Sequence, residues 1–135
     1  MASAMIVLLA LHFVQVVWDG AYRAPRELNF CIGLVLMLIV LGLALTGYLL
    51  PWDQKGYWAT KVGTELSSQT PWIGSEVKML TVGGVEYGHH TLTRFFALHA
   101  GVLPAALVGF LALHLALFRR HGLHPKDAKR RPDEF

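Results

Sequence analysis

Three of the seven histidines, His12, His99 and His114, stand in runs of otherwise apolar residues. An ionisable ring is costly to place in such a run, so each marks a ligand, a relay group or a hydrogen bond between helices. Imidazole is a ligand for iron, zinc and copper. His99 and His114 are 15 residues apart in one run. At ~100° and ~1.5 Å per residue this is four turns plus ~60°, with ~22 Å of rise, so the two share roughly one face near opposite ends. Gly33 and Gly47 are 14 residues apart in the run before it, or four turns less ~40° over ~21 Å. Glycine inside a helix costs ~1 kcal/mol relative to alanine. Two of them at the same axial period point to a large, flat body approaching at two depths; close helix–helix contact is the plainer alternative. Histidines on facing helices with a glycine-lined gap suit a planar macrocycle held edge-on in a bundle. Two such macrocycles, stacked, make an electron path across a membrane. His89 and His90, in a polar connection, and His121 and His124, near the end of the chain, read as solvated.

The elements that must position these residues are long and apolar. The 135 residues are 54% hydrophobic and 16% charged, well below the ~25% charge usual in soluble domains. No Asp, Glu, Lys or Arg occurs between Phe30 and Leu50, or between Phe95 and Phe118. About 20 apolar residues cross a hydrocarbon core of ~30 Å. The sequence therefore predicts an all-α membrane protein with three spans, at about 2–21, 27–50 and 92–120. The first is the shortest. A signal peptide is its competing reading, but the basic segment that precedes such a peptide is missing. Pro25 suits the opening of the second span and Pro51 its end. Pro104 should kink the third. The 51–91 connection is expected to hold short amphipathic interfacial helices over 56–67 and 75–82, and 123–135 reads as a polar tail. Cys31, the one cysteine, has no partner for an internal disulfide and no haem-attachment motif around it; it reads as a small buried apolar side chain.

The net charge of +3 belongs to residues flanking the spans, which favours a lipid surface over nucleic acid as the partner. With three spans, Arg23, Arg26, Arg119, Arg120, Lys126, Lys129, Arg130 and Arg131 share one side. Lys55, Lys61, Lys78 and Arg94 share the other. Eight against four places the first group, and the tail, in the cytoplasm or its equivalent. His12, Gly33 and His114 then lie toward the cytoplasmic end, and Gly47 and His99 toward the opposite end.

Three stretches carry a resemblance: Thr46-Gly-Tyr-Leu-Leu-Pro-Trp-Asp-Gln-Lys-Gly-Tyr-Trp58, Ala24-Pro-Arg-Glu-Leu28 and Thr91-Leu-Thr-Arg-Phe-Phe-Ala-Leu-His99. With them, residues 2–122 resemble the N-terminal haem-binding part of cytochrome b from quinol-oxidising bc and b6f complexes. The Pro-Trp-Asp-Gln run, the 15-residue histidine spacing and the Arg119-Arg120 ending are closer to the b6 type. The resemblance implies a helical bundle in an energy-transducing membrane such as the bacterial inner membrane. Two b haems sit in that bundle, each between two axial histidines. It implies that His12 and His114 ligate one haem, that His99 ligates the other, and that Gly33 and Gly47 are the glycines against which porphyrins pack. Tyr57, Trp58 and Ala59 match the border of the quinol-oxidation pocket. Arg26, Arg94 and Arg119 match basic positions near haem propionates or the quinone-reduction site; snorkelling interfacial cations are the alternative. The implied partners are quinol and quinone, a Rieske iron–sulfur protein, cytochrome c- or f-type subunits, and the C-terminal half of cytochrome b, within a dimeric complex.

Several features depart from the family. The histidine paired with His99 would lie 14 residues before His12, ahead of Met1, and the family's first helix would lie earlier still. Gln15 stands where the family usually has arginine. Cys31 does not match the cysteine of the b6 type's extra haem, and the Pro-Glu-Trp-Tyr motif is not found in the sequence. The chain is therefore expected to be a shortened copy or one piece of a split protein, unable to turn over quinol alone. A histidine-based proton or ion conductor without haem and a purely structural subunit are the competing classes, and both predict no chromophore. Topology has its own test. Cysteines introduced at Ser68 and Lys126 should react from opposite sides of sealed vesicles, and labelling of both from one side would overturn the assignment.

Overall fold

The computed structural model of the chain describes residues 2–122, so the 123–135 tail, with Lys126, Lys129, Arg130, Arg131 and His124, lies outside the described residues. Every regular element among them is helical: α1 (Ala2–Trp18), α2 (Glu27–Leu49), α3 (Gln54–Ser68), α4 (Gly74–Val82), α5 (His89–Ala97), a π-helical turn (Leu98–Val102) and α6 (Leu103–His121). Two stretches are long and apolar enough to cross a membrane: Glu27–Leu49, of 23 residues, and the continuous His89–His121, of 33.

The helix ends have identifiable causes. α1 was expected to reach residue 21 but stops at Trp18. Gly20 adopts φ +65°; its N–H bonds to Val17 O at 3.1 Å, and that of Ala21 to Val16 O at 3.0 Å. This is the Schellman closure, which a left-handed glycine permits. With 17 residues, α1 spans ~25 Å, short of the ~30 Å core. α2 begins at Glu27, two residues after Pro25, and the carbonyl of the flanking Arg26 accepts the Phe30 N–H at 2.9 Å. Pro25 sits in the preceding turn on a cis bond to Ala24.

The run after α2 is a compact piece of turn chemistry. Pro51 cannot continue the ladder. Trp52 takes φ 52°, and the Asp53 carboxylate caps α3 by accepting the Gly56 N–H at 2.7 Å. Gly56 is buried, and a Cβ there would lie 2.4 Å from Tyr48 O and 3.3 Å from Leu49 Cα. α3 can fold back beside the end of α2 because position 56 has no side chain.

The rest of the connection is tied together by hydroxyls. Thr64 Oγ1 meets Tyr87 Oη at 2.5 Å. The fully buried Thr91 donates to Val82 O at 2.6 Å and accepts the Gly88 N–H at 3.1 Å. Lys78 and Glu65 pair at 2.5 Å across α3 and α4, and that hydrogen bond raises the lysine pKa; exposed pairs of this kind add little stability. α5 begins at His89 instead of residue 92, so His89 and His90, expected in a loop, form its first turn, exposed.

Pro104 has its effect one turn earlier. Proline cannot donate to the carbonyl four residues back, and its ring clashes there. The helix answers with the π turn, in which Leu103 N–H bonds to Leu98 O, five residues away. A π turn takes up one residue more than an α turn. One of the 15 residue steps from His99 to His114 is thus absorbed, whereas the 14 steps from Gly33 to Gly47 run in plain α-helix.

The described residues divide into two compact units, 2–38 with 108–122, and 39–107. In the first, Ile32 and Leu36 are buried, and Phe30 packs on Phe13 (6.3 Å between centroids) and Tyr22 (5.8 Å). In the second, Ile39, Val40, Leu49, Val82 and Phe95 are buried together with Thr46, Thr60, Thr64 and Thr91. Apolar side chains such as Leu8, Leu11, Leu38, Val108 and Leu115 are exposed, and Cys31, expected to be buried, is exposed as well. Such surfaces suit lipid or further helices.

Gly56 supplies the test of this packing. Gly56→Ala should destabilise the fold by about 1–3 kcal/mol, the usual cost of overpacking against backbone. Gly109→Ala, where nothing lies within 4 Å, should be neutral or mildly stabilising. Unfolding in detergent, followed by circular dichroism, measures both; equal midpoints for the two variants would contradict this account.

Candidate functional site

Each intramembrane histidine of the last helix faces a glycine of α2. In the second unit, His99 lies in the π turn against Gly47, its Cε1 2.6 Å and its Nε2 3.3 Å from where a Cβ would stand. Any larger residue at 47 would collide with the ring. His99 Nδ1 lies 3.0 Å from Leu43 O and 3.1 Å from Thr46 Oγ1. A carbonyl only accepts, so Nδ1 carries the proton and Nε2 the lone pair. The Thr46 hydroxyl donates to Gly42 O at 2.7 Å and is therefore a second acceptor for the same Nδ1–H.

In the first unit, His114 on α6 faces Gly33, with Cε1 3.3 Å and Nδ1 4.0 Å from the would-be Cβ. His114 Nδ1 is buried without a hydrogen-bond partner. His12 itself is exposed on α1. Among the described residues no three His, Cys, Asp or Glu side chains converge as they would around a bare metal ion.

The other residues singled out in the sequence stand apart from these pairs. Tyr57 is ringed by Trp52, Trp58 and Tyr87 at 6.0, 5.3 and 5.7 Å between centroids. Trp58 and Ala59 are exposed on α3; the Trp58 indole donates to Gln54 at 3.0 Å, and Lys61 lies 5.1 Å from its ring. Arg94 lies against Gly83, which ends α4 at φ +83°, and its guanidinium donates to Leu80 O. Arg119 is exposed in the last turn of α6, where a cation complements the helix dipole. Arg26 is half-buried at the start of α2.

Both pairs fit a planar group ligated through imidazole. Each glycine removes the side chain that would fill the space, and each histidine keeps a ring nitrogen free of hydrogen bonds. Backbone or hydroxyl partners on the opposite ring nitrogen are what metal-ligating histidines commonly have. Thr46 and the Leu43 carbonyl were not anticipated. The available signal was a lone threonine beside a glycine in an apolar span.

Comparison with known proteins agrees. The family model described as Cytochrome b(N-terminal)/b6/petB matches residues 3–134. The menaquinol:cytochrome c reductase cytochrome b subunit of Bacillus subtilis (strain 168) is 49% identical over 123 residues, 90% of this chain and 55% of the relative. Cytochrome b6 of Heliobacterium modesticaldum is 43% identical over 119 residues, 88% of this chain and 56% of the relative. The chain thus spans about half the length of the curated relatives it matches. A chain of a solved hyperthermophilic respiratory Complex III superposes with a TM-score of 0.82 at 31% identity, covering 99% of this chain and 38% of that one. With a family model spanning nearly its whole length, this chain belongs to the cytochrome b (N-terminal)/b6 family.

Proposed function

We propose that this chain carries electrons across a membrane as the haem-b-binding part of a quinol-oxidising complex of the bc or b6f type. The observation that carries the reading is the repeated pairing of an apolar-helix histidine with a glycine, His114 on Gly33 and His99 on Gly47. Haem supplies reversible one-electron chemistry. The protein's part is to ligate, orient and exclude water. His12 and His114 hold one haem, and Gly33 gives its face room. His99 would hold a second through Nε2, with Gly47 beside it. Arg26, Arg94 and Arg119 present cations to propionates or to a quinone headgroup. Tyr57, Trp58 and Ala59 border the quinol-oxidation pocket, on the side opposite the tail. Relatives named for menaquinol and cytochrome c support a quinol donor and a cytochrome c-type acceptor. A Rieske protein, the C-terminal half of cytochrome b and a dimeric assembly complete the proposed complex.

Reduced-minus-oxidised spectra and haem quantitation of the purified complex test this. Bis-imidazole ligation needs nitrogens roughly 4 Å apart, from about 2 Å per metal–nitrogen bond. His12→Leu and His114→Leu should each remove the same haem, and the double variant no more than either. His99→Leu should remove the other. A complex without a b-type α-band would return the chain to the ion-conductor reading. A His12→Leu variant that keeps the haem lost in His114→Leu would break the assigned pair.

A further inference from the structure

The bonds around His99 carry an inference about a residue that does not itself touch haem; it rests on the function proposed above. Thr46 is 5% exposed and sits one residue before Gly47, so the residue that holds the ring and the residue that makes room for it are adjacent. Its hydroxyl proton is directed to Gly42 O at 2.7 Å, with Leu43 O at 3.2 Å. That direction leaves its oxygen lone pairs facing His99 Nδ1 at 3.1 Å, beside the Leu43 carbonyl at 3.0 Å. Two acceptors on one N–H exclude the tautomer protonated at Nε2. They also restrain rotation of the ring about its Cβ–Cγ bond, which a single acceptor would leave looser. His99 needs that restraint more than a ligand in a regular helix does, because it stands in the π turn.

We infer that Thr46 is a positioning residue for His99, holding its imidazole in the tautomer and orientation that present Nε2 to the haem iron. The hydroxyl is the part that matters: Thr46→Ser keeps it, Thr46→Val keeps the shape without it, and Thr46→Ala removes both.

The test uses the intact complex in detergent and three readouts: haem release on dilution, the reduction potential of each haem, and the low-temperature electron paramagnetic resonance of the low-spin ferric haems. Outer-shell partners of metal-ligating histidines typically contribute 10–100-fold to affinity. Because Leu43 O remains, Thr46→Val should release the His99-side haem roughly tenfold faster, the low end of that range. It should also shift that haem's resonance and potential, while leaving the His114-side haem as in the wild type. Thr46→Ser should restore the wild-type values. If Thr46→Val does not assemble, Thr46→Ala against Thr46→Ser makes the same comparison. Wild-type behaviour of both hydroxyl-less variants overturns the inference, as does equal loss at both haems, which would mean a general packing role. Failure of the functional reading looks different: the wild-type complex would then lack a His99-dependent haem altogether.

Discussion

An imidazole inside an apolar helix must have space for its ring and a partner for its N–H, and the rest of this structure depends on how both are provided. Leaving a buried polar atom unpaired costs about 1–3 kcal/mol, and no water is at hand in a membrane to satisfy it. His99 solves the second problem with Leu43 O and Thr46 Oγ1 and the first with Gly47. His114 has Gly33 for space and keeps Nδ1 unbonded. An unbonded, buried ring nitrogen is poor design for a structural histidine and apt for a ligand.

The surrounding elements serve that placement. Pro104 breaks the hydrogen-bond ladder and the helix accommodates it with a π turn, so His99 sits in the least regular stretch of its helix. π turns occur frequently at functional sites. The segment after α2 is equally specified. Pro51 stops the helix, Trp52 turns the chain, Asp53 caps α3, and Gly56 admits it beside the backbone of Tyr48 and Leu49. Buried Thr64 and Thr91 then tie together what would otherwise be a long connection between helices.

Much of this was legible in the sequence, and the limits have physical causes. Helix existence and type followed from apolar length, and the shared depth of His99 with Gly47 and of His114 with Gly33 from spacing and chain direction, whereas the direct packing of each ring on its glycine was legible only in the structure. Boundaries failed where one residue overrides a periodic pattern. Gly20 closes α1 three residues early through a left-handed turn, and Thr91 lets α5 start at His89 by giving the Gly88 N–H an acceptor. Pro104 points to an irregularity in the helix, but its form, a π turn closed by Leu103 N–H on Leu98 O one turn earlier, is not legible in the residue itself. Cys31 lies in an apolar span and is nonetheless exposed. In a membrane helix apolar character does not separate core from lipid-facing positions, so burial was not deducible from composition.

That last point bears on what holds the molecule together. Among the described residues only seven apolar side chains are buried: Ile32, Leu36, Ile39, Val40, Leu49, Val82 and Phe95. Burying such a side chain contributes about 1.5–3 kcal/mol, and ordering each residue's backbone costs about 1–2 kcal/mol. Helices that run apolar on every side cannot therefore owe their order to this small core alone. Lipid fixes the helical state, since unpaired backbone groups are intolerable there. Contacts that fix helix positions must then come from close packing and from groups bridging the helices. The His99–Gly47 and His114–Gly33 pairs are of this kind. A group ligated at these histidines would make binding free energy part of folding free energy. Because the same glycine–histidine pairs that would face such a group also hold the helices close, occupancy of these sites and the order of the helices would be coupled.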